Sequence, residues 1–379
     1  MISRELLERV ACPVCLEADG CPACRQGGGH AACLSDYDRR AACPCGGPDK
    51  VRLVAEEGAM RCPCCGVAYP SHAPEGYLDL VPRANLGEVT RYANHEFHDS
   101  LHVADAPPLL SARVKADMMR RMLGLRPGET VLDLGCGAGK MALYAGSRGA
   151  LPAGVDVAPF FLPRAAREVA LVLGDLRRLP FRKGAFPRAY SLDVLEHLDE
   201  AGVREVLLEA RRTVGPAGRL FVYTHAMESS RLAWFQRSVN RLARRLGEKG
   251  LIDHAREALR KSDHRNAIRS HEHFEALCAQ AGLRVSERRY YNVVFKAVIE
   301  DLLLRLYEQA RRGPRHAAAP GGAEGAHEPR GEPAPPGRAA VGLGLALTAL
   351  LKLDVLFFGR IRTGPFFGLL QPTLPAGGR

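Results

Sequence analysis

Apolar and polar positions change rhythm along the chain, and each change marks an element. Ser111–Leu123 carries its apolar side chains at helical spacing, and Thr130–Leu134 is a short apolar run. Similar runs recur at Ala153–Val157, Val169–Leu173, Ala189–Leu192 and Arg219–Tyr223, with helical stretches between them. Strands alternating with helices predict an α/β domain built on a parallel, doubly wound sheet. Beyond Thr224 the pattern turns helical and basic. Leu232, Phe235, Val239, Leu242 and Leu246 form one stripe over 231–246, and Arg237, Arg241, Arg244 and Arg245 lie largely off it. Ser270 is expected to cap a helix over His271–Ala281 that stops at Gly282. A strand near Leu283–Asn292, an amphipathic helix over Val293–Ala310 and a last strand in TGPFFGLLQP complete the pattern.

These rhythms divide the chain. Residues 1–82 are rich in Cys, Gly and Pro, as in a small metal-stapled module, and 83–110 reads as a connector. Residues 111–310 form the α/β domain, with a helical cap at about 226–269. The stretch 311–340 is Pro-, Gly- and Ala-rich and reads as a disordered linker. Residues 341–379 supply a C-terminal helix and the final strand. The longest apolar stretch, Ala339–Leu351, is followed by Lys352 and Asp354 and falls short of the roughly 20 residues a bilayer requires. No transmembrane span is expected, while peripheral membrane contact stays open. The opening MISRELLERVACPVC has charges where a secretion signal needs an apolar core, which predicts a cytoplasmic protein.

Charge adds one constraint. The chain has 379 residues and a formal net charge of +11. That excess suits nucleic acid, phospholipid headgroups or an acidic small molecule without choosing among them. Cysteine placement says more, because ten of the twelve precede residue 66. Cys12-Pro-Val-Cys15 and Cys62-Pro-Cys-Cys65 are two CxxC knuckles, each able to offer two thiolates to a tetrahedral zinc. Cys21, Cys24, Cys33, Cys43 and Cys45 lie between them, enough for a second site, so the ligand pairing stays open.

The segment VLDLGCGAGK stands where a strand turns into a helix, and its glycines let the backbone approach a ligand closely. A dinucleotide fingerprint would need its third glycine at position 140, where this chain has Lys140. Asp133 followed by Gly135, Cys136, Gly137 and Gly139 instead resembles the first motif of class I S-adenosylmethionine-dependent methyltransferases. That resemblance implies a Rossmann-like sheet and places further residues. Asp156, with Val157 in GVDVAP, would accept hydrogen bonds from the ribose hydroxyls. Asp175, with Leu176 in LVLGDLRRLPF, would meet the adenine amino group. Asp193, Glu196 and His197 in YSLDVLEHLDE fall beside the methionine part of the cofactor. The N-terminal segments resemble the zinc-ribbon modules found ahead of some methyltransferases. By that likeness Cys12, Cys15, Cys62 and Cys65 would be the ligands of a structural zinc.

Methyl transfer requires an aligned nucleophile and, for a hydroxyl or protonated amine, a base. His197 and His225 are the catalytic candidates, with Asp263 and His264 in a later loop. His264, His271 and His273 are expected to be packed or solvated. Leu192-Asp-Val-Leu lacks the Asn/Asp-Pro-Pro-aromatic sequence of exocyclic-amine methylating enzymes and the Pro-Cys of cytosine-C5 enzymes. The Leu-Glu-His pattern instead looks like the group that methylates small molecules and lipid-like acceptors, which is the leading reading. One alternative is an RNA methyltransferase using the zinc module and the basic surface. The other is an inactive zinc-ribbon binding protein.

Overall fold

The structure is a computed structural model and describes residues 4–13, 53–56, 58–62, 66–81, 105–252, 264–312 and 338–373. At its centre are five parallel strands, β5 (Thr130–Leu134), β6 (Leu151–Asp156), β7 (Ala170–Leu173), β8 (Arg188–Leu192) and β9 (Arg219–His225). They lie in the order β7-β6-β5-β8-β9. Two further strands, β10 (Leu283–Tyr290) and β11 (Pro365–Pro372), close the sheet beyond β9. β11 runs antiparallel between β9 and β10, so the C-terminal segment threads back inside the sheet.

Both faces of this sheet are buried, and residue parity assigns each side chain to a layer. Leu220, Val222, Phe366 and Leu370 enter one core with α5 (Glu200–Val214) and α7 (His271–Gln280). Phe221, Tyr223, Phe367 and Leu369 enter the other with α2 (Leu110–Leu123). A third, smaller cluster joins α3 (Lys140–Gly146), α4 (Pro163–Glu168) and β7 around Cys136, Ala142, Leu143, Ala165 and Leu171. The helix ends follow their sequence signals: Asp199 accepts from Gly202 N–H at 2.8 Å, and Ser270 accepts from His273 N–H at 3.1 Å.

The N-terminal region is joined to the sheet rather than set apart from it. After α1 (Arg4–Arg9), strands β1 (Val54–Glu56), β2 (Ala59–Arg61), β3 (Ala68–His72) and β4 (Tyr77–Asp79) form an antiparallel run, and β4 pairs in parallel with β7. Leu6, Val10, Cys12, Cys62 and Tyr69 share one core with Val172, Phe181 and Val206. Cys12 and Cys62 are fully buried, with Cys12 Sγ 3.1 Å from the Tyr69 hydroxyl. Cys15 and Cys65 lie outside the described residues, as do most of the connector expected at 83–110, residues 253–263 and positions 313–337 of the expected linker.

Two expectations need correction. The helix expected over Val293–Ala310 is α8 (Val294–Val298), a π-helical stretch Ile299–Leu304 and α9 (Arg305–Arg312). The apolar C-terminal stretch does not stop near Leu351. It continues as α10 (Arg338–Phe358), and its stretch Ala339–Phe358 is long and apolar enough to cross a membrane by length and composition. Lys352 and Asp354 do not break it because each has a partner inside the fold. Lys352 Nζ lies 2.6 Å from Asp117 of α2, and the buried Asp354 accepts from Phe295 N–H at 3.0 Å.

The link between β7 and β8 is held by a buried charge pair. Arg212 donates to Glu209 at 2.7 and 2.8 Å, to Phe181 O at 2.5 Å and to Leu179 O at 2.9 Å. Glu209 in turn accepts from Leu179 N–H at 2.9 Å. Removing one partner would leave a buried charge uncompensated. Arg212→Met is therefore expected to cost about 3–5 kcal/mol in denaturant unfolding. A loss within about 0.5 kcal/mol, the size of a neutral surface change, would contradict this role.

Candidate active site at the carboxyl ends of the strands

From β5 the chain winds out to β6 and β7, then returns to build β8 and β9 on the other side. The strand order therefore reverses at β5 and β8, where open α/β sheets place their ligand crevice. The sequence candidates cluster at that edge. Gly135 follows β5, Asp156 ends β6, Asp175 follows β7, Asp193 follows β8 and His225 ends β9.

The loop after β5 needs glycine at three places for different reasons. Gly135 has φ 76° and would drive a Cβ to 2.5 Å from Val194, so β5 and the turn after β8 are in contact there. At Gly139 (φ 81°) a Cβ would come within 2.6 Å of the Ala165 side chain of α4. Gly137 also has positive φ, 51°, yet nothing lies within 4 Å of where a Cβ would stand. The loop therefore packs at its two outer glycines and stays open at the middle one.

Asp156 ties this loop to β6. Its carboxylate accepts from Gly137 N–H at 2.7 Å and from Ala158 N–H at 3.1 Å, while burial pushes its pKa up. Val157 is half-buried beside it. Asp175 caps the short 3₁₀ turn Leu176–Arg178 and is gripped by Arg177 at 2.7 Å. Cys136 adds only backbone to the loop, since its side chain packs against Gly154 and burial raises its thiol pKa. Asp133 does not face the crevice as a ligand contact would. It is buried beneath the loop and accepts from the Tyr190 hydroxyl at 2.9 Å.

The far side of the crevice holds residues the sequence placed less well. Asp193 sits at φ 56° and receives Lys115 Nζ of α2 at 2.6 and 2.7 Å, and Lys115 also lies 4.3 Å over the Tyr223 ring. No motif marked Lys115. Glu196 is buried, and burial alone would raise its pKa, yet the hydrogen bond and charge of the neighbouring His225 hold it below the usual glutamate value. His225 Nδ1 is 3.5 Å from Glu196 Oε1, and the Tyr223 hydroxyl is 3.3 Å from His225 Nε2. Thr224 donates to Glu196 Oε2 at 3.1 Å.

His264, expected to be packed or solvated, meets the ring of His197 edge-on at 4.8 Å. The backbone N–H groups of Arg265 and Asn266 both donate to Glu196 O, which holds that loop against the 3₁₀ turn Leu195–His197. Ligand atoms of Glu196, His197 and His264 lie within 4.8 Å of one another, a donor set that suits a divalent first-row cation. Asp263 is outside the described residues. His271 and His273 are structural as expected: one is buried against Thr363 O at 2.8 Å, and the other lies 3.4 Å from Glu200.

Residues 132–222, which run from β5 through β9, match the methyltransferase domain family. This segment is a methyltransferase domain. An uncharacterized methyltransferase of Synechocystis is 30% identical over 115 residues, covering 30% of this chain and 54% of that protein. A demethylmenaquinone methyltransferase of Corynebacterium kroppenstedtii is 37% identical over 106 residues, covering 27% of this chain and 44% of its own length. The 24-methylenesterol C-methyltransferase 3 of Arabidopsis thaliana is 29% identical over 136 residues, covering 33% and 37%. The chain thus spans about half or less of the curated relatives it matches. The family match covers β5 through β9, and the N-terminal strands and the helices after β9 lie outside it.

The buried Asp133 gives a pH signature. Burial, with the charge of Asp156 nearby, lifts its pKa from 3.8 to about 8 despite the Tyr190 hydrogen bond. The folded state therefore keeps a proton that the unfolded state releases, and this group's contribution to stability is lost as pH climbs from about 4 towards 8. Asp133→Asn should flatten that decline in thermal melts across the same range. An unchanged slope would remove Asp133 as its source.

Proposed function

We propose that the chain transfers a methyl group from S-adenosylmethionine to a small, lipid-like acceptor. The observation that carries the reading is the loop Gly135–Gly139, tied to Asp156 at the strand-order reversal of a methyltransferase domain. Gly137 stays open beside Asp156, and Asp156, Asp175 and Asp193 at neighbouring strand ends fit the cofactor assigned from the motifs. When bound, S-adenosylmethionine supplies an activated methyl group, leaving the protein to align the acceptor and exclude water. Gly135, Cys136 and Gly137 would offer backbone, Asp156 would meet the ribose and Asp175 the adenine. Asp133 would act by supporting the loop from below.

For an acceptor that must lose a proton, His225 is the better base. Its Nδ1 faces the buried Glu196 carboxylate at 3.5 Å, an arrangement that orients the ring. Glu196 is then a positioning residue. The lipid-like character of the acceptor is supported by the sterol and menaquinone relatives and by the exposed apolar side chains of α10. A structural zinc held by Cys12, Cys15, Cys62 and Cys65 belongs to the same reading. The burial of Cys12 and Cys62 in one core supports it.

Isothermal titration tests the cofactor: binding is expected, and Asp156→Ala should weaken it by at least about tenfold, the worth of one lost hydrogen-bonded charge. No binding to the unaltered protein would overturn the proposal. His225→Ala should lower kcat by about 10²–10⁴ while leaving cofactor affinity in place, measured by label transfer to lipid and metabolite extracts. Metal analysis of protein purified under reducing conditions should find zinc, and Cys12→Ser with Cys62→Ser should release it. A zinc-free protein would remove that part of the reading.

A further inference from the structure

α10 is built the wrong way round for a helix that faces water. Thr348 and Asp354 point into the protein, while Lys352 stays half exposed and pairs with Asp117. Thr348 is buried, donates to Gly344 O at 2.6 Å and accepts from Leu110 N–H at 2.8 Å. Asp354 is fully buried at the start of α8. Its outer face is apolar instead. Leu343, Leu350 and Phe357, seven residues apart, form one stripe and are 63%, 45% and 63% exposed. Leu345 and Leu356 widen it. Only 17% of the stretch is buried inside the protein. A contiguous exposed apolar surface of this kind marks a contact with a partner or a membrane.

The neighbouring helices indicate which. α8 packs against both α10 and α6 (Ala233–Glu248), so the three helices form one layer. Between α6 and the segment 301–305 lies a groove lined by Arg237, Arg241, Arg244 and Arg305. The only acid lining it among the described residues, Asp301, is already paired with Lys296 at 2.7 Å. Trp234 on α6, and Leu303 and Tyr307 beside the groove's far wall, are more than half exposed. Guanidinium groups next to exposed aromatic and aliphatic side chains complement an anionic headgroup layer over acyl chains. α10 could leave the domain to cross a bilayer only by breaking the Lys352–Asp117, Asp354–Phe295 and Thr348–Leu110 links. It is also followed directly by β11 inside the sheet. These links keep it lying flat.

We propose that α10, with the arginine groove of α6, docks this protein onto the surface of an anionic lipid bilayer. This deepens the lipid-like acceptor reading and rests on it only for the purpose of the docking, which is to bring the crevice to acceptors dissolved in the membrane.

Vesicle sedimentation with the full chain tests the proposal. Vesicles of phosphatidylcholine mixed with phosphatidylglycerol should bind the protein, and phosphatidylcholine alone should bind it at least about tenfold more weakly. The triple variant Leu343→Gln, Leu350→Gln, Phe357→Gln should weaken binding to the mixed vesicles by at least about tenfold, with melting temperature and S-adenosylmethionine titration unchanged. Arg237→Gln with Arg241→Gln and Arg244→Gln should weaken it too and reduce its salt dependence. Three results would overturn the proposal: no binding to mixed vesicles, binding that the apolar triple variant leaves intact, or a concentration-dependent dimer that this variant abolishes without vesicle binding. RNA binding lost in the arginine variant, with no vesicle binding, would also overturn it. Because the cofactor titration is read separately on the same proteins, failure of docking would leave the cofactor assignment standing.

Discussion

The carboxylate of Asp156 joins the two strands on which the crevice depends. It accepts the Gly137 N–H at 2.7 Å and thereby holds the loop after β5 against the end of β6. The loop's first glycine lies against Val194, so the turn after β8 is set by the same contact. Three strand ends are thus fixed relative to one another before any side chain is asked to bind. Moving that carboxylate would loosen the loop, the open side at Gly137 and the distance to Glu196 and the histidines beyond. Burial makes the hold costly, because it favours the neutral acid, and the backbone N–H groups offset that cost.

The C-terminal segment shows a second constraint. β11 lies between β9 and β10, so residues beyond the low-complexity stretch complete the sheet on which the crevice is built. α10 immediately precedes that strand and is pinned by Lys352 and Asp354, whose partners are on α2 and α8. With Thr348 and Asp354 turned inward and Lys352 held by Asp117, the exposed face of the helix is predominantly apolar. The crevice-bearing sheet and the helical layer of α10 are therefore one packed body sharing α2 and α8.

Much of the fold was legible in the chain. Thr130–Leu134 falls on the residues expected, the other parallel strands differ at their ends by one or two positions, and Ser270 caps as predicted. These signals are local: buried parallel strands are short apolar runs, and caps have a narrow chemistry. The places of the loop, Asp156, Asp175, Asp193 and His225 at strand ends were legible because each closes or follows an apolar run. Glu196 was placed by the motif beside the cofactor but without its pairing to His225, and Lys115 was not marked at all, since a lysine on an amphipathic helix looks like an ordinary solvated charge. Asp133 was read as a cofactor contact because the motif begins with it, although its burial gives it a supporting role.

By itself, the sequence determined the alternation of strand and helix, the glycine loop with its acidic partners and the cysteine knuckles, because these depend on residue type and short spacing. Only the tertiary structure decided that His264 meets His197, that His225 pairs with the buried Glu196, and that the N-terminal strands extend the main sheet. It also decided that Lys352 and Asp354 lie within a helix rather than ending it. The physical reason is the same in each case: a charge or an imidazole takes its role from the group it faces. In this chain that group is on another element, up to hundreds of positions away.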